Sequence, residues 1–452
     1  MLRKIRIAAA AFFFVLTTLL FLDFTGTLHA WFGWMAKIQF LPALLALNVG
    51  VVAFLVILTL LFGRVYCSVI CPLGVMQDIV SWASGKRRKH RNRFAYSPAL
   101  TWLRRGMLVV FVAAMLAGVG SLLAPYSAYG RIASNLLAPV YAWGNNLLAY
   151  IAGRMDSYAF YSVDVWMKSL STLLVAVVTF AVLFVLAWRS GRTYCNTICP
   201  VGTVLGFLAR YSLFKPRFDT SKCNGCKLCA RNGKASCIDP AAHKIDYSRC
   251  VACMDCLENC RQGAITYTLR RRKPDPAPAP QRPAADAAKT PSDASRRRFL
   301  GLAGIVAYSA LRAQEKKVDG GLAVIVDKKI PNRATPVVPP GAQSLRHFNA
   351  HCTGCQLCVS VCPNQVLRPS GKLMTLMQPE MSFERGYCRP ECTKCAEVCP
   401  TGAIRLTDLA GKSSIQIGHA VWIAENCVVN TDGVSCNNCA RHCPAGAIKM
   451  VR

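Results

Sequence analysis

The chain of 452 residues carries 24 cysteines, most of them grouped at fixed short gaps. One pair of runs reads Cys223-x2-Cys226-x2-Cys229-x7-Cys237 and Cys250-x2-Cys253-x2-Cys256-x3-Cys260. Three more groups follow: Cys352, Cys355, Cys358 and Cys362; Cys388, Cys392, Cys395 and Cys399; Cys427, Cys436, Cys439 and Cys443. Gaps of two residues let a short loop present three thiolates to one inorganic core, which is iron–sulfur chemistry. A structural zinc site would instead join two well-separated pairs, and a disulfide framework belongs to small, loop-rich secreted chains. These five groups of four thiols are enough for five [4Fe-4S] clusters.

The first two runs resemble a bacterial two-cluster ferredoxin, in which the remote fourth cysteine of each run ligates the other cluster. The resemblance implies one cluster on Cys223, Cys226, Cys229 and Cys260, and a second on Cys250, Cys253, Cys256 and Cys237. The chain departs from that pattern at two places: seven residues precede Cys237, and Arg261 follows Cys260 where the family has Pro. In the C-terminal groups, Cys362, Cys399 and Cys443 are each followed by Pro. There Thr401-Gly402-Ala403-Ile404 and Ala445-Gly446-Ala447-Ile448 echo Gln262-Gly263-Ala264-Ile265. Each reads as a turn that returns the chain to a short strand. By the same analogy, clusters would form on Cys352, Cys355, Cys358 and Cys399, on Cys388, Cys392, Cys395 and Cys362, and on Cys427, Cys436, Cys439 and Cys443.

The other four cysteines sit in an internal repeat. Gly63-Arg64-Val65-Tyr66-Cys67-Ser68-Val69-Ile70-Cys71-Pro72-Leu73-Gly74 matches Gly191-Arg192-Thr193-Tyr194-Cys195-Asn196-Thr197-Ile198-Cys199-Pro200-Val201-Gly202 at eight of twelve positions. Hydrophobic residues make up 53% of the chain and its mean hydropathy is +0.31, which calls for several membrane spans beside soluble modules. The apolar runs 5–22, 40–62, 107–124 and 170–188 are long enough to cross a bilayer, giving four spans, the first uncleaved. The cluster Lys86-Arg87-Arg88-Lys89, with Arg91 and Arg93, marks a cytoplasmic loop. Residues 133–152, interrupted by Pro139, Asn145 and Asn146, read as interfacial or re-entrant. Two helical hairpins would then carry Cys67, Cys71, Cys195 and Cys199 to the cytoplasmic surface, with Tyr66 and Tyr194 at interfacial depth. Their spacing leaves three readings open: a sixth metal cage of iron–sulfur type, a redox disulfide or transient metal site, or inert cysteines.

Residues 271–294 are rich in Pro and Ala and read as an extended tether. At its end, Ser295-Arg296-Arg297-Arg298-Phe299-Leu300 opens an apolar run to Leu311 that resembles a twin-arginine export address. The run is short for a span and suits a signal or anchor. The expected fold class is an α-helical membrane domain with four spans and an internal two-fold repeat (1–214), plus two α+β ferredoxin-like iron–sulfur modules. The first module (215–270) is cytoplasmic. After the linker (271–294) and the twin-arginine segment (295–313), an exported module with three clusters covers 314–452, placing the whole in a bacterial inner membrane.

The doubled Cys-x3-Cys-Pro motif followed by a ferredoxin module resembles the NapH type of membrane ferredoxin. The C-terminal part resembles its NapG-type periplasmic partner, although that type carries four cluster motifs and three are found here. Both are quinol dehydrogenase iron–sulfur subunits of periplasmic nitrate reductase systems, and they are related to the NosR- and CcoG-like membrane ferredoxins. The resemblance implies electron transfer from the quinone pool toward a periplasmic cytochrome or reductase. An assembly or regulatory factor that serves a metalloenzyme client is the alternative. A quinol oxidised at the interface needs proton acceptors, for which Asp23 and His29 are the candidates. The sequence offers no carrier embedded between the two faces, which leaves quinone to connect them. The formal charge of +32 sits largely beside apolar runs, as topology predicts, so no nucleic-acid partner is expected.

Overall fold

The computed structural model describes residues 1–86, 94–118, 122–269, 335–384, 386–417, 422–443 and 446–450. The tether, the twin-arginine segment and the basic residues Arg87, Arg88, Lys89, Arg91 and Arg93 lie outside the described residues.

α1 (Leu2–Leu22) is one unbroken helix because nothing from Leu2 to Leu22 is Gly or Pro and almost everything after Arg6 is apolar. At 1.5 Å per residue it is about 30 Å long. After it come α2 (Thr27–Phe32), α3 (Trp34–Lys37), α4 (Phe40–Leu45), α5 (Val49–Phe62), α6 (Val65–Val69) and α7 (Pro72–Gly85). The expected span 40–62 is therefore two helices: Leu47 turns left-handed at φ 53°, and the Asn48 side chain accepts the Val51 amide to start α5 afresh. The second half of the domain holds α8 (Thr101–Leu116), α9 (Pro125–Ile132), α10 (Ala138–Arg154), α11 (Leu170–Ser190), α12 (Thr193–Thr197) and α13 (Pro200–Ala209). Among the described residues, α1 and α11 are the helices long and apolar enough to cross a bilayer. A π-helical turn joins α9, in which every residue is buried, to α10, in which none is. The segment expected to be interfacial, 133–152, thus falls on the π-helical turn and α10, and the buried helix α9 precedes it. The outward faces of α5, α8 and α11 carry exposed Phe54, Ile57, Val109, Val110, Leu174 and Val178, apolar surface that water alone would not favour.

The two Cys-Pro stretches fold alike. Gly63 (φ 74°) and Gly191 (φ 68°) end α5 and α11 in a backbone region that side chains avoid. α6 and α12 follow, and then Cys71 and Cys199 cap α7 and α13, whose first residues are Pro72 and Pro200.

The next module closes β1 (Phe214–Phe218) antiparallel on β4 (Ile265–Leu269), with Phe214 opposite Leu269 and Phe218 opposite Ile265. Between them lie α14 (Leu228–Arg231), the ribbon of β2 (Ile238–Asp239) and β3 (Lys244–Ile245), and α15 (Asp255–Asn259). In the C-terminal module β5 (Leu367–Pro369) pairs with β6 (Pro379–Met381). All three expected Gly-Ala-Ile turns have glycine at positive φ, at Gly263, Gly402 and Gly446. Among the described residues only the first feeds a strand; after Gly402 the chain stays irregular, and the Arg405 amide donates to the Gly341 carbonyl instead.

The modules grip opposite ends of α1. Arg3 pairs with Asp255 (2.9 Å) and Glu258 of the first, while beyond the other end Lys394 of the second donates to the Thr25 carbonyl (3.1 Å). One buried carboxylate ties the first arrangement together: Asp78 on α7 accepts Arg192 Nε (2.7 Å) and Arg6 (2.9 Å) and lies 3.2 Å from Lys234, which also reaches Asp255 (3.1 Å). Burial opposes a charged carboxylate here, but Arg192, Lys234 and Arg6 outweigh it and hold Asp78 well below the usual range. An Asp78→Asn chain leaves those cations uncompensated and should lose about 3–5 kcal/mol of stability, read as a lowered unfolding temperature in detergent. Because the folded pKa is depressed, the wild-type advantage is complete above about pH 4 and disappears as pH falls further; an unchanged Tm, or an advantage that grows in acid, would refute this account.

Candidate functional site

The structure gathers Cys237, Cys250, Cys253 and Cys256 around one small cavity, together with Ile238, Val251 and Leu257. Cys223, Cys226, Cys229 and Cys260 line a second. Cys362, Cys388, Cys392 and Cys395 line a third, with Lys394 beside them. Cys358 has Cys355, Cys352 and Cys399 as its electrostatic neighbours. None of the three cavities is lined by Cys427, Cys436, Cys439 or Cys443, which lie on and beside the short helices Val428–Thr431 and Asn438–Arg441.

Loop geometry explains how the thiols face inward. Lys227, Met254 and Gln356 each follow the second cysteine of their run, and each sits at positive φ, between 59° and 67°. This is uncommon outside glycine and bends the loop around the cavity. The Cys237 thiol donates to Cys250, which raises Cys237 and lowers Cys250. Burial first, and then the charge of Asp255, pushes Cys253 up to about 12; burial and the neighbouring Cys388 and Cys362 do the same to Cys395. Such thiols become thiolates when a cationic core enters, so the donor set fits iron–sulfur cores. Among the described residues no three His, Cys, Asp or Glu side chains are grouped for a single metal ion; a multi-iron core holds its ligands farther apart.

Cys67, Cys71, Cys195 and Cys199 are brought together, each 4–6% exposed, in the core of the helical domain. The expectation that the four cysteines converge is met in the interior of the protein. Tyr66 and Tyr194 are buried too: the Tyr66 hydroxyl donates to Gln39 Oε1 (3.0 Å) and accepts the Phe40 amide (3.1 Å). The reason is an exchange of arginines. Arg64 Nη2 donates to the Cys195 carbonyl (3.0 Å) and lies 3.8 Å from Cys67 Sγ; Arg192 Nη1 donates to the Cys67 carbonyl (2.7 Å) and lies 3.7 Å from Cys195 Sγ. Gln77 Nε2 adds a contact to Cys195 Sγ at 3.3 Å. Both arginines are wholly buried, and two guanidinium charges suit the net negative charge of a four-thiolate cluster. The repeated Gly-Arg-x-Tyr-Cys could have revealed these arginines, since a charge repeated beside a ligand needs a reason; Asp78 gave no comparable signal.

Asp23 and His29 also meet. The Asp23 carboxylate accepts the Thr25, Gly26 and Leu28 amides at 2.8–3.0 Å, and its Oδ2 lies 3.1 Å from His29 Nδ1. Burial would raise Asp23, but His29, Thr25 and the Gly26 amide hold it well below the usual range. A carboxylate accepts only, so Nδ1 carries a hydrogen and Nε2, which is buried without a hydrogen-bond partner, is left to accept. The Asp23 carboxylate thereby fixes the orientation of the His29 ring.

These features define an iron–sulfur protein of the ferredoxin type. A "4Fe-4S binding domain" family model matches twice, at residues 44–90 and 172–221, which contain the two Cys-Pro motifs, and a "4Fe-4S dicluster domain" model matches residues 351–403. The chain is similar to the ferredoxin-type protein NapH of Escherichia coli (strain K12), 28% identical over 239 residues, covering 51% of this chain and 70% of that protein. It is similar to the putative electron transport protein YccM of the same organism, 28% identical over 225 residues, 49% of this chain and 55% of that one. The methylamine utilization ferredoxin-type protein MauM of Methylophilus methylotrophus is 33% identical over 123 residues, 25% of this chain and 50% of its own length. No solved structure matches the chain.

The glycines of the two Cys-Pro-x-Gly turns make the exchange possible. A Cβ on Gly202 would meet the Cys195 carbonyl at 2.3 Å and Arg64 at 2.8 Å; on Gly74, the Cys67 carbonyl at 2.2 Å and Arg192 at 2.6 Å. Gly202→Ala should therefore cost about 1–3 kcal/mol through overpacking and reduce iron bound per chain; a variant with full iron and unchanged Tm would show that the arginine is not held there.

Proposed function

We propose that the chain is a membrane-bound iron–sulfur carrier that takes electrons from a quinol at the outer face and passes them toward a periplasmic cytochrome or reductase. The observation that carries this is the place of the Asp23–His29 pair. It stands just past the end of α1, and the loop it organises touches Lys394, which sits between Cys392 and Cys395 at the edge of one cysteine-lined cavity. Beside it Trp31 and Trp34 are exposed on α2 and α3, as aromatic residues at a membrane interface are. Four spans, with the C-terminal module exported, accord with the two modules lying about 30 Å apart along α1, close to the thickness of a hydrocarbon core.

In this reading Cys223, Cys226, Cys229 and Cys260 hold one [4Fe-4S] cluster, and Cys237, Cys250, Cys253 and Cys256 a second, both cytoplasmic. Cys352, Cys355, Cys358 and Cys399 hold a third, Cys362, Cys388, Cys392 and Cys395 a fourth, and Cys427, Cys436, Cys439 and Cys443 a fifth. Cys67, Cys71, Cys195 and Cys199 hold a sixth, between Arg64 and Arg192. These groups supply one-electron storage. The protein's own part is to exclude water, fix the thiols and provide His29 Nε2 as acceptor for a quinol hydroxyl proton, with Asp23 stabilising the imidazolium that results.

His29→Gln or Asp23→Asn should slow quinol-driven bleaching of the visible iron–sulfur absorbance by roughly 10²–10⁴, the usual worth of a general base. Bleaching by dithionite and iron per chain should not change. Quinol-driven bleaching at the wild-type rate in both variants would remove the dyad from the reaction; a normal rate of client maturation lost in their place would favour the assembly-factor alternative.

A further inference from the structure

Residues beside the four buried thiols link them to both modules. On the side of the first, Arg64 carries the contact: one amino group is 3.8 Å from Cys67 Sγ, the other donates to the Ser248 carbonyl at 3.1 Å, and the guanidinium lies within electrostatic reach of Cys250. Asn196, next to Cys195, donates to the Ala235 carbonyl at 3.1 Å. On the other side stands α9. Its Gly130 is pressed so close to the C-terminal module that an added Cβ would meet the Cys355 carbonyl at 2.4 Å. The adjoining Arg131 is wholly buried and within electrostatic reach of Cys355 and of Tyr194, the residue before Cys195. Asn135 continues the contact by donating to Gln356 Oε1 at 2.9 Å. One continuous buried core includes Cys237, Cys253 and Cys256, the four Cys-Pro thiols, Tyr126, Tyr129 and Tyr194, and Cys355 and Cys358.

We propose that α9 is a conducting bridge, and that the four-thiol site is the midpoint of an electron path across the membrane built wholly from this chain. The inference rests on the reading of Cys67, Cys71, Cys195 and Cys199 as an iron–sulfur site. Each passage moves one electron: the site on Cys352, Cys355, Cys358 and Cys399 changes by one in one direction, and the four-thiol site changes by one in the other. No bond breaks and no proton moves, and the external reductant is a quinol in the cell or dithionite in the test. Arg64 and Arg131 favour an added negative charge on either side of the midpoint, where water does not screen it. A path through protein replaces the mobile quinone that the sequence alone required to connect the two faces.

The test uses the full chain with its iron–sulfur content, in sealed quinone-free phosphatidylcholine vesicles captured through a C-terminal tag so that the C-terminal module faces out. Dithionite, which does not cross the bilayer, is added outside, and the visible absorbance is compared with that after detergent lysis. In the wild type all of it should bleach before lysis. In Cys67→Ser/Cys195→Ser, which should lack the iron of one cluster, the share belonging to Cys223–Cys260 should survive until lysis. Gly130→Val, which keeps the thiols but forces α9 and the Cys355 loop apart, should retain full iron and show the same loss. Inner absorbance that survives in the wild type, or bleaches fully in both variants, overturns the bridge. Dithionite bypasses His29, so the outcome does not depend on quinol oxidation; an unchanged iron count in the double variant would overturn the four-thiol reading, whereas lost iron with complete inner bleaching would overturn the bridge alone.

Discussion

Two guanidiniums without water set the rest of the molecule. Arg64 belongs to one Cys-Pro motif and binds the Cys195 carbonyl; Arg192 belongs to the other and binds the Cys67 carbonyl. A buried charge with too few partners is costly, so neither arginine can be buried unless both motifs are in place. The exchange is what pulls two sequence-distant turns to one point. It also demands glycine at positions 74 and 202, since any Cβ there would occupy the arginine's path. The charge network then spreads outward from Arg192 through Asp78 to Arg6 and Lys234, and from Lys234 through Asp255 to Arg3. The seating of the first ferredoxin-like module on the foot of α1 is therefore part of the same electrostatic arrangement as the four-thiol site.

What could be read from the sequence was what is local. The cysteine gaps announce the ligand loops because a chain closing on a multi-iron core has few ways to do so, and the repeated twelve residues announce two similar turns. Asp23 and His29 were legible as residue types, but their meeting depends on Gly26 at φ 83°, which lets the chain turn back under the carboxylate. Depth was not legible. Hydropathy says that residues are apolar and not how they run, so the break at Leu47 and Asn48 stayed hidden inside one continuous apolar stretch. Tyr66 and Tyr194 follow apolar runs, and nothing in those runs announces that Gln39 meets the Tyr66 hydroxyl inside the protein. Asp78 carried no signal in the sequence, because its partners come from α1, the turn leading into α12 and the ferredoxin-like module. α9 was overlooked for a similar reason: Pro, Ser, Gly and Arg in eight residues look like loop, and only burial against α7, α11 and the Cys355 loop makes them a helix in the core.

In the proposed reading, the membrane potential decides which way the path favours electron flow. With His29 at the outer end of α1, a quinol oxidised there would release its protons on that side whether its electrons remain outside or travel inward. Electrons that remain outside move no charge across the membrane. Electrons sent inward to the sites on Cys223–Cys260 move against an interior-negative potential, which opposes each by about 2.3 kcal/mol per 100 mV. The same potential assists an electron moving outward by that amount. The field therefore favours the outward direction. Under the proposed topology, the first ferredoxin-like module would then serve as a second entrance for electrons from the cytoplasm, joining those that arrive from quinol on one exit toward a periplasmic acceptor.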